Sequence, residues 1–164
     1  MLQPPLLTGT EPRHALLERY FEAFRARDGA AMEACYHPAA RFSDPVFPVL
    51  SAAEVGAMWR MLTHRAQELH VEYELVEASE ASGQALWSAR YRYGRRLVVN
   101  RVASRFLLQD GLILEQTDSF DFARWARQAL GPAGWLLGGT GFLRRRVQAQ
   151  ARAALARFMA REQG

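Results

Sequence analysis

Between Val71 and Asp121 the chain keeps a two-residue period: Val71, Tyr73 and Leu75 interleave with Glu72 and Glu74, and the pattern resumes in the runs 87–93, 98–106 and 112–121. Alternation puts successive side chains on opposite faces of a strand, so this half of the chain reads as a sheet with two chemically distinct faces. Turn residues at Ser82-Gly83, Gly94 and Asp110-Gly111 divide it into four strands of an antiparallel meander, the last pair joined by a hairpin. One face carries Trp87, Tyr91, Asn100, Val102, Phe106, Asp118 and Phe120, mostly apolar with a few polar groups, and reads as a pocket lining. The other carries Glu72, Glu74, Arg90, Arg92, Arg101, Arg105 and Glu115, which can pair across strands. That face is either solvated or the interface of a homodimer, and the dimer is the expectation.

Ahead of the sheet the period is helical. Leu16, Leu17, Tyr20, Phe21 and Phe24 share one face of a helix over 11–27, with Pro12 in its first turn. Asp28 can cap a second, short helix through Ala31, Met32, Cys35 and Tyr36, which Pro38 must stop. Ser51-Ala52-Ala53-Glu54 has the capping-box pattern, and Val55, Met58, Trp59 and Leu62 form the apolar stripe of a third helix from about Ala52 to Arg65. Helices followed by an antiparallel meander imply an α+β fold, with the helices packed on one face of a curved sheet. Past Trp125 come Gly131-Pro132-Ala133-Gly134 and Gly138-Gly139-Thr140-Gly141. A final helix then bears Leu143, Val147, Ala151, Leu155 and Phe158 on one side and Arg144, Arg145, Arg146, Arg152, Arg157 and Arg161 elsewhere. The expected division is a domain over 1–125 and a Gly-rich turn with a basic helix over 126–164, packed on that domain or extending from it.

The 164 residues suit one domain with a real core. All 21 basic residues are arginine, which removes Schiff-base and phosphate-loop lysine chemistry. Charge is uneven: residues 1–121 hold 13 Arg against 16 Asp and Glu, while 122–164 hold 8 Arg against Glu162 alone. The basic helix is expected to present a solvated face, or else to touch an anionic membrane surface weakly. Nucleic acid is not an expected partner, since the rest of the chain is net acidic and carries no binding motif. Met1–Leu7 lacks the basic start of a signal peptide, and no stretch nears the ~20 apolar residues of a membrane span. With Cys35 as the sole cysteine, the expectation is a cytoplasmic protein without an internal disulfide. His14, His64 and His70 have no metal-ligand spacing and His37 reads as a helix-end residue, so no metal is expected.

Arg41-Phe42-Ser43-Asp44-Pro45-Val46-Phe47-Pro48 is the candidate centre. Pro45 pushes Asp44 toward extended geometry, so the carboxylate sits in a stiff segment among aromatic residues, as an acid/base group or as a turn-former. Tyr20 and Asp118 can point into the same cavity, Tyr20 equally as a buried core phenol and Asp118 equally as a loop tie. Trp59, Trp87, Tyr91, Asn100, Val102 and Phe120 are the candidate ligand contacts, though the large aromatics among them also suit a plain core.

These residues, over about Leu16 to Trp125, resemble the nuclear transport factor 2-like superfamily of cone-shaped α+β domains. Its members include ketosteroid isomerase, limonene epoxide hydrolase and SnoaL-like polyketide cyclases. The resemblance implies that Tyr20 falls where the isomerase keeps an oxyanion-hole tyrosine and Asp44 where it keeps its proton-shuttling base. The isomerase's second oxyanion donor, a protonated aspartic acid, corresponds to the neighbourhood of Val102, where Asn100 or Ser104 is the substitute. Gln116-Thr117-Asp118-Ser119-Phe120-Asp121-Phe122 is similar to the hydrolase's last strand and places Asp118 at its acid/base carboxylate, while the strand 87–93 supplies arginines but no second aspartate. The implied function is binding of a small hydrophobic molecule with cofactor-free acid/base chemistry of isomerase, cyclase or hydrolase type. The alternative is a non-catalytic dimeric binding or interaction module.

Overall fold

The computed structural model describes residues 11–164; the opening Met1–Leu7 stretch lies outside the described residues. Helix α1 (Glu11–Arg25) buries Leu16, Leu17, Tyr20, Phe21 and Phe24, the face its spacing predicts. Asp28 caps α2 (Gly29–Glu33), its Oδ1 accepting from the Ala31 N–H at 2.9 Å.

Here the structure departs from the expectation that this helix runs to Pro38. It ends at Glu33, and Tyr36 opens a strand, β1 (Tyr36–Ser43), which pairs in parallel with the last strand of the chain. Pro38 has no N–H to give a ladder, and it falls in the interval between Tyr36 and Arg41 where the register shifts, so the strand loses little by holding it. A two-residue strand, β2 (Leu50–Ser51), then leads into α3 (Ala52–Arg65). Ser51 and Glu54 close the capping box reciprocally, each bond 3.3 Å long.

The meander follows as β3 (Gln67–Ala78), β4 (Ser82–Tyr93), β5 (Arg96–Gln109) and β6 (Leu112–Ser119). The six-stranded sheet has the order β2-β1-β6-β5-β4-β3, antiparallel except where β1 joins β6. The β3–β4 turn lies at Ser79-Glu80-Ala81, just ahead of the predicted Ser82-Gly83. Asp110 and Gly111, at φ +54° and +71°, form the two-residue hairpin loop whose positive φ matches strand twist. Val71, Ala85, Ala89 and Phe106 on the inner face pack with α1 and α3 in one core, giving helices on one face of a curved sheet, the expected α+β architecture. Strict alternation is interrupted at irregularities, in β3 between Gln67 and His70 and between Leu75 and Glu77, and again in β6. The β5–β6 pairing steps from Leu107–Glu115 to Leu108–Ile113, so Leu114 bulges and Ile113, expected beside Glu115 on the outer face, is buried.

Of the outer-face residues able to pair across strands, Arg92 alone does so among the described residues, with Glu68 of β3. Arg90 lies opposite Val99, Arg101 opposite Ser88 and Glu74 opposite Leu86. The Arg92–Glu68 pair spans 3.0 Å, and within β3 His70 lies 3.3 Å from Glu72.

After the sheet come α4 (Phe122–Leu130), α5 (Pro132–Leu137) and α6 (Gly141–Glu162). Helix α6 packs back on the domain: Leu155 joins the main core, and Leu143 and Val147 join a second cluster with Val98, Phe122 and Trp125. Polar ties fix its length. Gln148 Nε2 donates to the Pro45 carbonyl at 2.9 Å, Arg152 bonds Glu54 at 3.1 Å and the Val49 carbonyl at 2.8 Å, and Arg60 bonds Glu162 at 2.8 Å. Among the described residues no helix is long and apolar enough to cross a membrane.

Candidate functional site

The inner sheet face, α3 and α6 enclose a cavity of ≈ 440 Å³. Trp59, Trp87, Tyr91, Asn100, Val102 and Phe120, the candidate ligand contacts, all line it, and so do Asp44 and Asp118. A second, shallower opening of ≈ 400 Å³ reaches the same two carboxyls past Pro45, Pro48 and Arg144. The β1–β6 pairing explains the convergence: Ser43 lies beside Thr117, so the residues that follow each, Asp44 and Asp118, come together at one end of the cavity.

Asp44 is pinned by its own loop. Its Oδ1 accepts the N–H groups of Val46 at 2.7 Å and Phe47 at 2.6 Å, while its own N–H donates to the Phe47 carbonyl at 2.9 Å. The turn-former and acid/base readings therefore both describe this residue: Oδ1 builds the turn, and Oδ2 accepts no hydrogen bond among the described residues. Enclosure by surrounding protein pushes the carboxyl up to about 6, against the lowering effect of the Phe47 and Val46 N–H groups and of the Arg144 charge.

Asp118 is almost fully buried on β6. Its Oδ1 accepts from Ser104 Oγ at 2.5 Å and from Gln116 Nε2 at 3.0 Å. Burial pushes this carboxyl up to about 7, with the nearby Asp44 charge adding to the rise and the Ser104 and Gln116 donors opposing it. No buried side-chain polar atom in the described chain lacks a partner, so the unbonded Oδ2 of Asp118 is one that reaches cavity space.

Behind Asp118 runs a buried chain of hydrogen bonds that sequence reasoning did not assemble. Trp87 Nε1 donates to Ser104 Oγ at 2.7 Å. Gln116 Nε2 also donates to the Tyr20 hydroxyl at 3.2 Å, the Tyr36 hydroxyl donates to Gln116 Oε1 at 2.5 Å, and Trp59 Nε1 donates to the Tyr36 hydroxyl at 2.9 Å. Tyr20 therefore does not line the cavity beside Asp44. It is a buried phenol, raised well above its ordinary range by desolvation, that touches Asp118 through Gln116. Ser104, expected as a substitute donor to a ligand, spends its hydroxyl on Asp118, whereas the Asn100 amide has no partner among the described residues and faces the cavity.

Sequence reading also missed Tyr36, taken as helical, and the wall contributed by Trp125, Val147, Ala151 and Ala154. Trp125 Nε1 donates to the Tyr91 hydroxyl at 2.9 Å, which turns that phenol oxygen into an acceptor held at the cavity wall. The inward alternation of Gln116 and Asp118 on one strand was the available signal for the network; nothing local pointed from Tyr36 to a strand 80 positions away. Among the described residues no group of three or more His, Cys, Asp or Glu side chains is placed to hold a metal ion.

The SnoaL-like domain family matches residues 17–116. An LEH-like epoxide hydrolase from Mycobacterium tuberculosis superposes with a TM-score of 0.61 at 17% identity, covering 81% of this chain and 100% of that one. A nuclear transport factor 2-like protein of unknown function from Burkholderia pseudomallei gives a TM-score of 0.62 at 21% identity, over 71% and 95% of the two chains. A candidate polyketide cyclase from Xanthomonas campestris gives 0.60 at 16% identity, over 74% and 99%. At these identities the likeness is one of fold. No curated protein matches the chain.

Proposed function

The chain belongs to the SnoaL-like domain family of the nuclear transport factor 2-like superfamily, and from that premise we propose that it binds a small hydrophobic molecule and moves protons on it without a cofactor. The observation that carries the reading is two carboxyls at one end of a largely apolar cavity, each with one oxygen pinned and the other free. Their environments push both carboxyls up but unequally, to about 6 for Asp44 and about 7 for Asp118. Between about pH 6 and 7 the pair then holds one proton more readily than two or none, an arrangement suited to acid/base work. Asp44 Oδ2 is the base that accepts a proton from carbon beside a carbonyl, or from water attacking an epoxide. Asp118 Oδ2 delivers its proton to the oxygen that gains charge. Asn100 donates a hydrogen bond to that oxygen, and Tyr20 and Gln116 act as positioning residues that hold Asp118.

The test is turnover of cyclic ketones and epoxides by the parent chain, Asp44→Asn and Asp118→Asn. Each variant is expected to lose at least about 100-fold in kcat. Turnover like the parent's would sink the assignment. The loop bonds to Asp44 Oδ1 favour a second reading, a binding module whose Asp44 only shapes a turn. It predicts unchanged ligand affinity in both variants and no turnover by any of the three proteins.

We also propose that the outer sheet face joins two copies. Val76, Leu86, Leu97 and Leu107 are each about half exposed there, among Arg90, Arg101, Arg105 and Glu115, which have no ion-pair partner among the described residues. Light scattering should give a dimer that Leu86→Glu with Leu107→Glu dissociates, and a monomeric parent contradicts this.

A further inference from the structure

The last third of the chain carries a surface that neither the cavity nor the outer sheet face uses. Helix α5 is apolar in sequence, Pro132-Ala133-Gly134-Trp135-Leu136-Leu137, yet it buries almost none of that character. The residues it presses against the protein are glycines: a Cβ on Gly134 would run into the Ala126 carbonyl of α4, and Gly138 is buried beside it. Close approach through glycine turns the large side chains outward. Trp135 is 70% exposed, Leu136 82%, and Phe142 in the next turn of chain 58%, with Leu137 also exposed. Four large apolar side chains within eight positions form a patch of the kind that soluble surfaces rarely leave open.

Arginines flank this patch. The Arg127 guanidinium lies over the Trp135 ring at 5.2 Å, and Arg144, Arg145 and Arg146 follow one residue after Phe142. None of the four has an ion-pair partner among the described residues. The nearest acidic residue in the following sequence, Glu162, is taken by Arg60. Three arginines so close to the N-terminus of α6 also oppose the helix dipole, which favours acids there, so the helix itself gains nothing from them.

An exposed Trp with Leu and Phe nearby in the chain, flanked by arginines that have no ion-pair partner among the described residues, matches the headgroup layer of an anionic bilayer in both polarity and charge. We propose that α5 and the first turn of α6 dock the protein on anionic membrane surfaces, Trp135, Leu136 and Phe142 entering the interface and Arg127, Arg145 and Arg146 meeting lipid phosphates. The body of α6 does not take part, since Leu143, Val147 and Leu155 are buried against the domain. Arg144 belongs to the same first turn and lines the shallow opening to Asp44 and Asp118, so the docking surface adjoins one entrance to the site.

The experiment is flotation of the whole chain with vesicles of phosphatidylcholine alone and of phosphatidylcholine with phosphatidylglycerol. The parent chain is expected to float with the anionic vesicles and to be released by raised salt. Trp135→Ser with Leu136→Ser, substitutions at exposed positions whose folding is checked by the melting temperature, should weaken flotation at least about tenfold, and Arg145→Gln with Arg146→Gln should weaken it in low salt. A parent chain that stays in solution with anionic vesicles overturns the proposal, as does flotation indifferent to the Trp135/Leu136 pair. Self-association abolished by that pair, without vesicle binding, assigns the patch to a second copy and overturns it equally.

Discussion

Replacing Asp118 with Asn should change how stability depends on pH, in a direction set by burial. The folded carboxyl is pushed up to about 7 from an ordinary 3.8, chiefly by desolvation. Below the ordinary value both states are protonated and Asp118 costs nothing. As pH rises from there to about 7 the unfolded chain releases the proton and the folded chain keeps it, so stability falls with pH; above that range the full cost stands. A separation of about three pH units at about 1.4 kcal/mol each sets a ceiling of about 4 kcal/mol. Asparagine keeps an oxygen to accept from Ser104 and Gln116 and cannot ionise. Urea unfolding between pH 4 and 9 should therefore show parent and Asp118→Asn nearly equal at pH 4, and the variant more stable by up to about 4 kcal/mol at pH 9. Parallel curves over that range would refute the reasoning, because they would mean that Asp118 ionises as easily folded as unfolded.

Two further perturbations probe the supports of the site. Gln116→Leu removes the side chain that links Tyr20, Tyr36 and Asp118, stranding buried hydroxyls at a cost of about 1–3 kcal/mol each, and should also change the Asp118 titration, which a purely structural glutamine would leave alone. Leu155→Ala empties a fully enclosed position where α6 meets the main core and should cost about 2–5 kcal/mol in denaturant unfolding; a smaller loss would mean that α6 is loosely held.

Much of this arrangement was legible in the sequence, for identifiable reasons. The face of α1, the Ser51–Glu54 capping box and the alternation over β4 and β5 are local patterns, and each appears where its period put it. The inward set Trp87, Tyr91, Asn100, Val102, Asp118 and Phe120 followed from alternation alone and lines one cavity. Failure came where a distant partner decided the local structure. Tyr36 reads as the end of a helix until β6 offers its edge in parallel, and Pro38 reads as a helix stop although it sits at a register shift in a strand. Ile113 changed faces because Leu114 bulges, which no two-residue pattern announces. Tyr20 was rightly placed in the interior, but its hydroxyl meets Gln116 rather than the cavity, a distinction set by side-chain hydrogen bonding across 96 positions. The glycines of α5 were visible as turn-formers; that they would turn Trp135 and Leu136 outward depends on their contact with α4.

Carbon-13 titration of the aspartate carboxyl groups, assigned with Asp44→Asn and Asp118→Asn, reads directly the two carboxyls proposed as acid and base. The expected result is Asp118 titrating near 7 and Asp44 near 6, with Asp44→Asn lowering the Asp118 midpoint because a neighbouring negative charge is gone. Midpoints for both residues near the ordinary 3.8 would contradict it.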